Sequence, residues 1–363
     1  MSETQNPNHP LPEFGAEQIS LLESLCNASG ISGDEGEVRK IVLEQVRPAA
    51  TEVKVDALGN VLATRIGTGE NRLRVMLSAH MDEVGFILVE DNENGLFTFE
   101  KVGGVDARQI IGKPVLVGKD HVPGVIGAKP IHLTTREERR HAIPLDALRI
   151  DLGPEGSSKA KIGQRAAFAT RFQQVGPSLM AKALDNRQGV ATLIELVKHA
   201  PDNVDLLAAF TVQEEIGARG ARVAAYAFNP DLAIVVDTTP ANDLPAWDGS
   251  ENTSYNTRLG AGPALYVADS STLSDPRLVR HVMATAEKAG IPYQVRQPGG
   301  GGTDAGAIHK QRVGIPSVSI SMPCRYLHTA ISLARLADWQ HTLALLYTVL
   351  SELPGSILLD PRQ

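Results

Sequence analysis

The stretch "LLAAFTVQEEIGARGA", Leu206 to Ala221, decides how this chain is read. An apolar run of strand character ends on two adjacent acids, Glu214 and Glu215. Glycine and a segment of helical pattern follow at once. Strand, turn and helix in that order form the unit of an α/β sheet, where ligands bind beyond the carboxyl ends of the strands. Adjacent glutamates are common in solvated loops, but the run LLAAFTV sets this pair at the mouth of a core. Consecutive side chains of an extended segment diverge, so the two carboxylates cannot occupy one position. One can ligate a metal while its neighbour serves as base for a water.

The same texture recurs outward from this stretch. A buried strand is expected at "LRVMLSA", delivering His80-Met81-Asp82, and another at Leu232 to Val236 in "LAIVVDTTPA", delivering Asp237. Helices are expected from about Glu17 to Ala28, Glu35 to Val46, Gln188 to His199 and Ala218 to Ala227. Pro276 stands in the first turn of another and Gly290 just past its end. The last helix starts near Asp338, with Trp339, Leu343, Leu346 and Leu350 on one apolar face. Between about Asp91 and Gln174 the helical period is missing, and short alternating runs such as "LFTFEKV" are separated by Asn-Gly and Gly-rich turns. The reading is α/β: a central mixed sheet flanked by helices, from residues 1–90 and 175–363, with an inserted small all-β domain at 91–174.

The bulk composition bounds the function. The 363 residues are 42% hydrophobic and 21% charged, with a net charge of −7, so no basic footprint for nucleic acid is present. The local run "TREERR", Thr135 to Arg140, mixes signs and reads as a solvated loop. Two cysteines, Cys26 and Cys324, are too few for a disulfide framework. The N-terminus lacks the basic and apolar regions of a signal peptide, and no apolar stretch approaches the ~20 residues that span a bilayer. A cytoplasmic enzyme with no membrane partner is expected.

Five motifs carry chemistry, each with a plain structural reading beside it. His80 at a strand end can be a satisfied surface histidine; as a ligand it would need a partner on its second ring nitrogen, and Asp82 stands two residues on. Asp185 in "KALDNRQG" can cap a helix, since Asp is a preferred cap, or can give one oxygen to each of two cations. Glu214-Glu215, Asp237 and His328 in "RYLHTAI" each suit a loop near a strand end. Together, His80, Asp185, Glu215, Asp237 and His328 are two imidazoles and three carboxylates, and four of the five follow apolar strand patterns. Such a set suits two divalent cations, zinc foremost, with cobalt and manganese taking the same donors. The run "PGGGGTDAGAIHKQ" lacks the Lys-Ser/Thr ending of a phosphate loop. It reads as a flexible pocket lip, with Thr303 and Asp304 as substrate contacts.

These residues, in this order, resemble the glutamyl and tetrahedral (TET) aminopeptidases, a family of dinuclear metallopeptidases. The resemblance rests on "SAHMDEVGF", "GVIGAKPIHL", "ALDNRQG", "TVQEEIGARGA", "VVDTTPA", "GGGGTDAGAIH" and "RYLHTA" and covers most of the chain. It implies His80 and Asp237 on one metal, Glu215 and His328 on the other, Asp185 bridging, Glu214 as general base and Asp82 as the residue that orients His80. It also implies peptide substrates with a free N-terminus, and homo-oligomers in which the β-rich insertion pairs subunits and dimers build tetrahedral dodecamers. One departure stands out: Ser332 occupies a place where family members commonly carry an acid. Two other functions are compatible with the ligand set, a metal-dependent deacylase or carboxypeptidase acting on N-acylated amino acids, and a non-catalytic metal-binding assembly.

Overall fold

A computed structural model describes residues 11–246, 248–250, 252, 256–297 and 300–362. Helices α1 (Ala16–Asn27) and α2 (Gly36–Val46) lead into the hairpin of β1 (Glu52–Val55) and β2 (Val61–Arg65), then into β3 (Leu73–His80). Six strands follow: β4 (Gly85–Asp91), β5 (Leu96–Val102), β6 (Pro114–Val117), β7 (Val122–Gly127), β8 (Arg149–Asp151) and, after the single turn α3 (Gly156–Lys159), β9 (Arg165–Phe168). Beyond β10 (Gln173–Val175) and β11 (Ser178–Ala181), helix and strand alternate: α4 (Leu184–Lys198), β12 (Val204–Thr211), α5 (Arg219–Phe228), β13 (Leu232–Pro240) and the short β14 (Ala264–Leu265). The chain ends with α6 (Pro276–Ala289), β15 (Gln294–Val295), α7 (Ala305–Ile308), β16 (Ser317–Arg325), β17 (Ser332–Arg335) and α8 (Leu336–Ser351).

The main sheet has eleven strands on the path β1-β2-β12-β3-β13-β16-β17-β11-β10, with β14 and β15 attached beside β16. β12, β3, β13 and β16 run parallel, and both flanks are antiparallel, so the sheet is mixed. Burial of both faces explains why these central strands read as unbroken apolar runs. Val75, Leu77 and Ala79 of β3 face one core with Leu206, Ala208 and Phe210 of β12, whereas Met76, Leu207 and Ala209 face the other. Helices α1, α2, α4, α6 and α8 cover the first face, α5 and α7 the second. This is the α/β architecture that the sequence pattern predicts.

The parallel register gathers the strand ends. His80 lies opposite Thr211, and Leu77 lies opposite Ile234. Continued to the strand ends, that second register sets Asp237 beside His80. The carboxyl ends of β3, β12 and β13 therefore finish at one edge of the sheet.

The six strands from β4 to β9 close a separate barrel in the order β4-β5-β8-β7-β6-β9. Phe86 sits at its centre, edge-to-face with Phe99 at 5.1 Å and Phe168 at 5.3 Å. The barrel begins at Gly85 and ends at Phe168, whereas the sequence texture places its limits at residues 91 and 174. β4 reads as more of the preceding buried strand, and only Gly85 marks the change of sheet. A side chain there would collide with Ile31 and with the backbone of Ala166. The mixed-charge run at 135–140 is an exposed turn on the excursion between β7 and β8. Among the described residues no helix is long and apolar enough to cross a membrane.

Local chemistry at the start of α4 separates two roles. Asn186, not Asp185, accepts the Gly189 N–H at 3.1 Å in the manner of a cap. The Asp185 carboxyl is left to face the sheet edge. At the β12–α5 turn, Gly220 packs so closely that an added Cβ would strike Asn60 Oδ1 and the Val212 backbone. Gly220→Ala should therefore cost about 1–3 kcal/mol, read as a lowered urea midpoint at unchanged slope; an unaltered midpoint would mean that this turn has room to relax.

Candidate active site

At the common edge of β3, β12 and β13 the apolar sheet gives way to titratable side chains. His80 closes β3, Glu214 and Glu215 follow β12, Asp237 lies near the end of β13, Asp185 opens α4 and His328 follows β16. His80 Nε2 is 3.2 Å from Asp185 Oδ1 and 3.5 Å from Asp237 Oδ1. His328 Nε2 is 3.3 Å from Glu215 Oε2 and 3.5 Å from Asp185 Oδ2. Asp185 thus turns one oxygen to each imidazole. One ligand atom from each of His80, Asp185 and Glu215 lies within 4.8 Å of the others.

The other ring nitrogens are already engaged. His80 Nδ1 lies 3.2 Å from the Asp82 carbonyl, and His328 Nδ1 lies 3.0 Å from the Gly104 carbonyl. A ring that donates from Nδ1 to a carbonyl presents a lone pair at Nε2. Two such lone pairs and three carboxylates then converge as acceptors, and only protons or cations can lie between them. Asp185 Oδ1 is buried and accepts no well-directed hydrogen bond. The donor set, all nitrogen and oxygen, with both imidazoles braced at Nδ1, fits divalent cations of the zinc, cobalt or manganese type.

With protons in that role, the cluster titrates far from ordinary values. Burial pulls the His328 imidazolium down, but Asp185 and Glu215 outweigh it and hold the ring at about 9. Burial, reinforced by the Asp185 charge, pushes Glu215 up to about 8. Burial also raises Asp237 to about 6 against the pull of His80. For His80 burial again opposes the charge, and its three acidic neighbours win, raising it well above the usual imidazole range. Asp185 moves the other way: despite burial, the two imidazoles hold it well below the carboxylate range.

Asp82 lies against His80, as the sequence suggests, but through its backbone, and its carboxylate has other partners. Its Oδ1 is 3.6 Å from His80 Nδ1, and the ring bonds instead to the Asp82 backbone carbonyl. The carboxylate accepts the Glu214 N–H at 2.9 Å, the Glu215 N–H at 3.1 Å and the Ser32 hydroxyl at 2.6 Å. It ties the turn after β12 to the end of β3. Glu214 is thereby fixed by its backbone, with its side chain lining the cleft beside His80 and Asp237. Withdrawal from water, together with the charges of Asp237, Asp304 and Glu215, lifts its carboxyl well above the usual range.

Thr303 and Asp304 do not form a lip. Both are buried, Thr303 Oγ1 lying 2.9 Å from Ser319 Oγ. Asp304 Oδ2 accepts the hydroxyls of Ser78 at 2.7 Å and Thr211 at 2.6 Å. The glycine run misleads because the chain after it turns directly into α7, and Thr303 and Asp304, which lead into that helix, sit beneath the sheet edge. Gly300–Gly302 do line the cleft, whose volume is about 440 Å³, while Pro298 and Gly299 lie outside the described residues.

Two features escape a reading of the sequence. Glu83 is buried and accepts Lys182 Nζ at 2.7 Å, Arg187 Nη2 at 3.1 Å and the Gly30 N–H at 3.0 Å. This network joins the segment after His80 to both sides of Asp185. Its only sequence signal is that each charge adjoins a ligand motif. The second is Arg296 beside Tyr266 at the far wall of the cleft, which no motif marks.

Residues 59–345 match the M42 glutamyl aminopeptidase family. The chain is 30% identical to the lysyl aminopeptidase of Pyrococcus furiosus, over 92% of this chain and 96% of that one. Its structure is similar to a TET aminopeptidase from a marine-sediment Thaumarchaeota archaeon, with a TM-score of 0.89 and 33% identity over 94% and 98% of the two chains. It is similar also to the Pyrococcus horikoshii TET1 peptidase, which can assemble into a tetrahedron or a large octahedral shell. That pair has a TM-score of 0.81 and 32% identity over 93% and 100%.

Chelator-stripped protein should become less stable as pH rises from about 5 to about 9. Glu215, Asp237 and His328 have folded values of about 8, 6 and 9, all raised. Across that window the folded state holds protons that the unfolded chain has released, so raising the pH favours unfolding. Thermal melting with and without added zinc checks this: zinc should flatten or reverse the slope, and a stripped protein whose melting temperature climbs with pH would contradict it.

Proposed function

The chain belongs to the M42 glutamyl aminopeptidase family, and from that membership we propose a metal-dependent aminopeptidase that releases N-terminal residues with Glu214 as its general base. The observation that supports the reading best is the convergence of two imidazole Nε2 atoms and three carboxylates on a cleft that Glu214 also lines. His80 and Asp237 would hold one cation, Glu215 and His328 a second, and Asp185 both. Zinc is the first choice, with cobalt and manganese suiting the same donors. Such ions, when bound, acidify water and polarise a carbonyl oxygen.

The remaining work falls to the chain. Glu214 takes a proton from the attacking water as oxygen bonds to the scissile carbonyl carbon, then delivers it to the departing amine nitrogen as the C–N bond breaks. A carboxyl raised by burial holds that proton long enough to pass it on. Asp82 keeps the Glu214 backbone in place through both steps, and the carbonyls of Asp82 and Gly104 keep the imidazoles from rotating. The acids lining the cleft attract the substrate's N-terminal ammonium, which favours a free over a blocked terminus.

The barrel is proposed as the subunit-contact module. Its β7–β8 excursion leaves Ile131 70% and Leu133 60% exposed, an apolar pair that a partner subunit would cover. The two cysteines, both buried free thiols, support placement in a reducing cytoplasm.

The test of function is hydrolysis of matched free and N-acetylated peptides by stripped protein with single metals restored. Cleavage should require metal and a free amine; cleavage of the acetylated peptide would replace this reading with a deacylase. Glu214→Gln should lower kcat by ~10²-fold or more with metal content unchanged by elemental analysis, and near-normal turnover would remove Glu214 from the role. Replacing Ile131 and Leu133 together by serine should reduce the mass seen in sedimentation velocity; an unchanged mass would relocate the interface.

A further inference from the structure

The two imidazoles of the candidate site are braced in different ways. His80 closes a buried strand, its side chain is 3% exposed, and its Nδ1 partner is the carbonyl of Asp82, two residues along the same segment. His328 stands on the turn after β16, in left-handed backbone (φ 58°) close to a second such residue, Tyr326 (φ 62°), and its side chain is 41% exposed. Its Nδ1 partner, the Gly104 carbonyl at 3.0 Å, lies 224 positions away and belongs to the barrel. His80 is therefore oriented by its own strand, and His328 by a separate sheet.

The Gly104 carbonyl is held from the barrel side. Val102, the last residue of β5, pairs with Gly85 at the start of β4. Lys101 Nζ donates to the Val105 carbonyl at 2.9 Å, and the Val105 side chain is buried in the barrel core. The turn between Val102 and Val105 is glycine for want of space. An added Cβ at Gly103 would lie 2.8 Å from Val84 Cγ1 and 3.3 Å from Glu215 Cβ, and one at Gly104 would lie 3.1 Å from His328 Nδ1. The barrel backbone thus abuts both residues proposed for the second cation, Glu215 and His328.

Another contact joins the same two parts from the opposite direction. Ala330, two residues beyond His328, is buried in the core of the barrel, not in that of the main sheet. Inside the turn, the Thr329 and Ser332 hydroxyls donate to the Tyr326 carbonyl at 2.8 Å and 3.2 Å, which shapes the turn without engaging the imidazole. The first cation position differs. Among the described residues, the hydrogen bonds and ion pairs of His80 and Asp237 come from the main domain and none from the barrel.

A carbonyl that accepts from Nδ1 fixes the tautomer and leaves the Nε2 lone pair directed at a cation. We infer that the inserted barrel is a positioning element of the active site: through Gly104 and Ala330 it sets the His328 imidazole, and with it the affinity for the second cation, while the first depends on the main domain alone. The inference rests on the two-cation reading above and gives the barrel a task inside its own subunit, apart from subunit contact. Gly104 acts through His328 and is a positioning residue.

Stepwise cobalt titration of the stripped protein reads the two positions apart, by calorimetry and by the visible absorption of each bound ion. The wild type should bind two ions. Gly104→Ala, which pushes the ring away from its carbonyl, should weaken the second by about 10- to 100-fold, the usual loss when a ligand's hydrogen-bond partner is removed, and leave the first unchanged. Ala330→Gly removes packing without adding a side chain and should weaken the second ion in the same sense, by less. A general loosening would weaken both ions together, so parallel losses, or no loss, would overturn the inference. Labelling by diethylpyrocarbonate, read by mass spectrometry on stripped protein, tests the brace without metal. His328 should react several-fold faster in Gly104→Ala with His80 still protected, and equal rates at His328 would overturn the inference. If the wild type takes up fewer than two ions, the two-cation reading fails first, and the labelling still decides whether the barrel holds His328.

Discussion

The Asp82 carboxylate is the constraint on which the site depends. It is fully buried, and both of its oxygens are committed to donors from outside its own strand: two backbone N–H groups of the β12 turn and the Ser32 hydroxyl. A buried carboxylate is tolerable only when its acceptor capacity is met, and a buried N–H only when it finds an acceptor. Each side therefore holds the other in place. Glu214 and Glu215 are held relative to each other by that tie, because both of their amides are pinned to a single group. The strand end that supplies the pin also supplies His80, so one loop fixes an imidazole, a proposed base and a proposed ligand relative to one another.

Charge explains why so much of the surrounding structure is polar. Five acceptors converge at the sheet edge, and bringing them together costs free energy that apolar packing elsewhere has to supply. Beneath them, Glu83 with Lys182 and Arg187 joins the segments that carry His80 and Asp185. Breaking such a network from one side leaves a buried charge unpaired, and that penalty gives the network its rigidity rather than any large net stability. Asp304 plays the matching part on the other face of the sheet, taking hydroxyls from β3 and β12. Cation binding as proposed would be coupled to stability, since these acceptors repel unless protons or cations lie between them.

The legible part of this design is the part carried by periodicity. Apolar runs ending near His80, Glu214 and Asp237 read directly as strands, because a strand buried on both faces is apolar throughout; that their ends meet comes from the parallel register. Asp185 reads less clearly: capping would account for it, and only the structure shows Asn186 doing the capping. Thr303 and Asp304 mislead for a physical reason, since glycines announce a mobile loop but say nothing of where the next helix tucks. Gly85 conceals the start of the barrel, as one glycine in an apolar run looks like an irregularity within one strand rather than a change of sheet. Arg296 is invisible in sequence because its place in the cleft comes from a pairing of two-residue strands.

That division has a consequence for how such a site can vary. The groups proposed for chemistry hang from strand ends and are locked by backbone bonds, so substitution there disturbs several contacts at once. Arg296 hangs from the short β15 at the sheet's margin, and the contacts that orient it are a ring face, a hydroxyl and a carbonyl. None of those partners is among the proposed ligands. A change of side chain at this position would leave the Asp82 tie and the five proposed ligands untouched. Side chains at that margin can therefore change without disturbing the strand ends that carry the proposed chemistry.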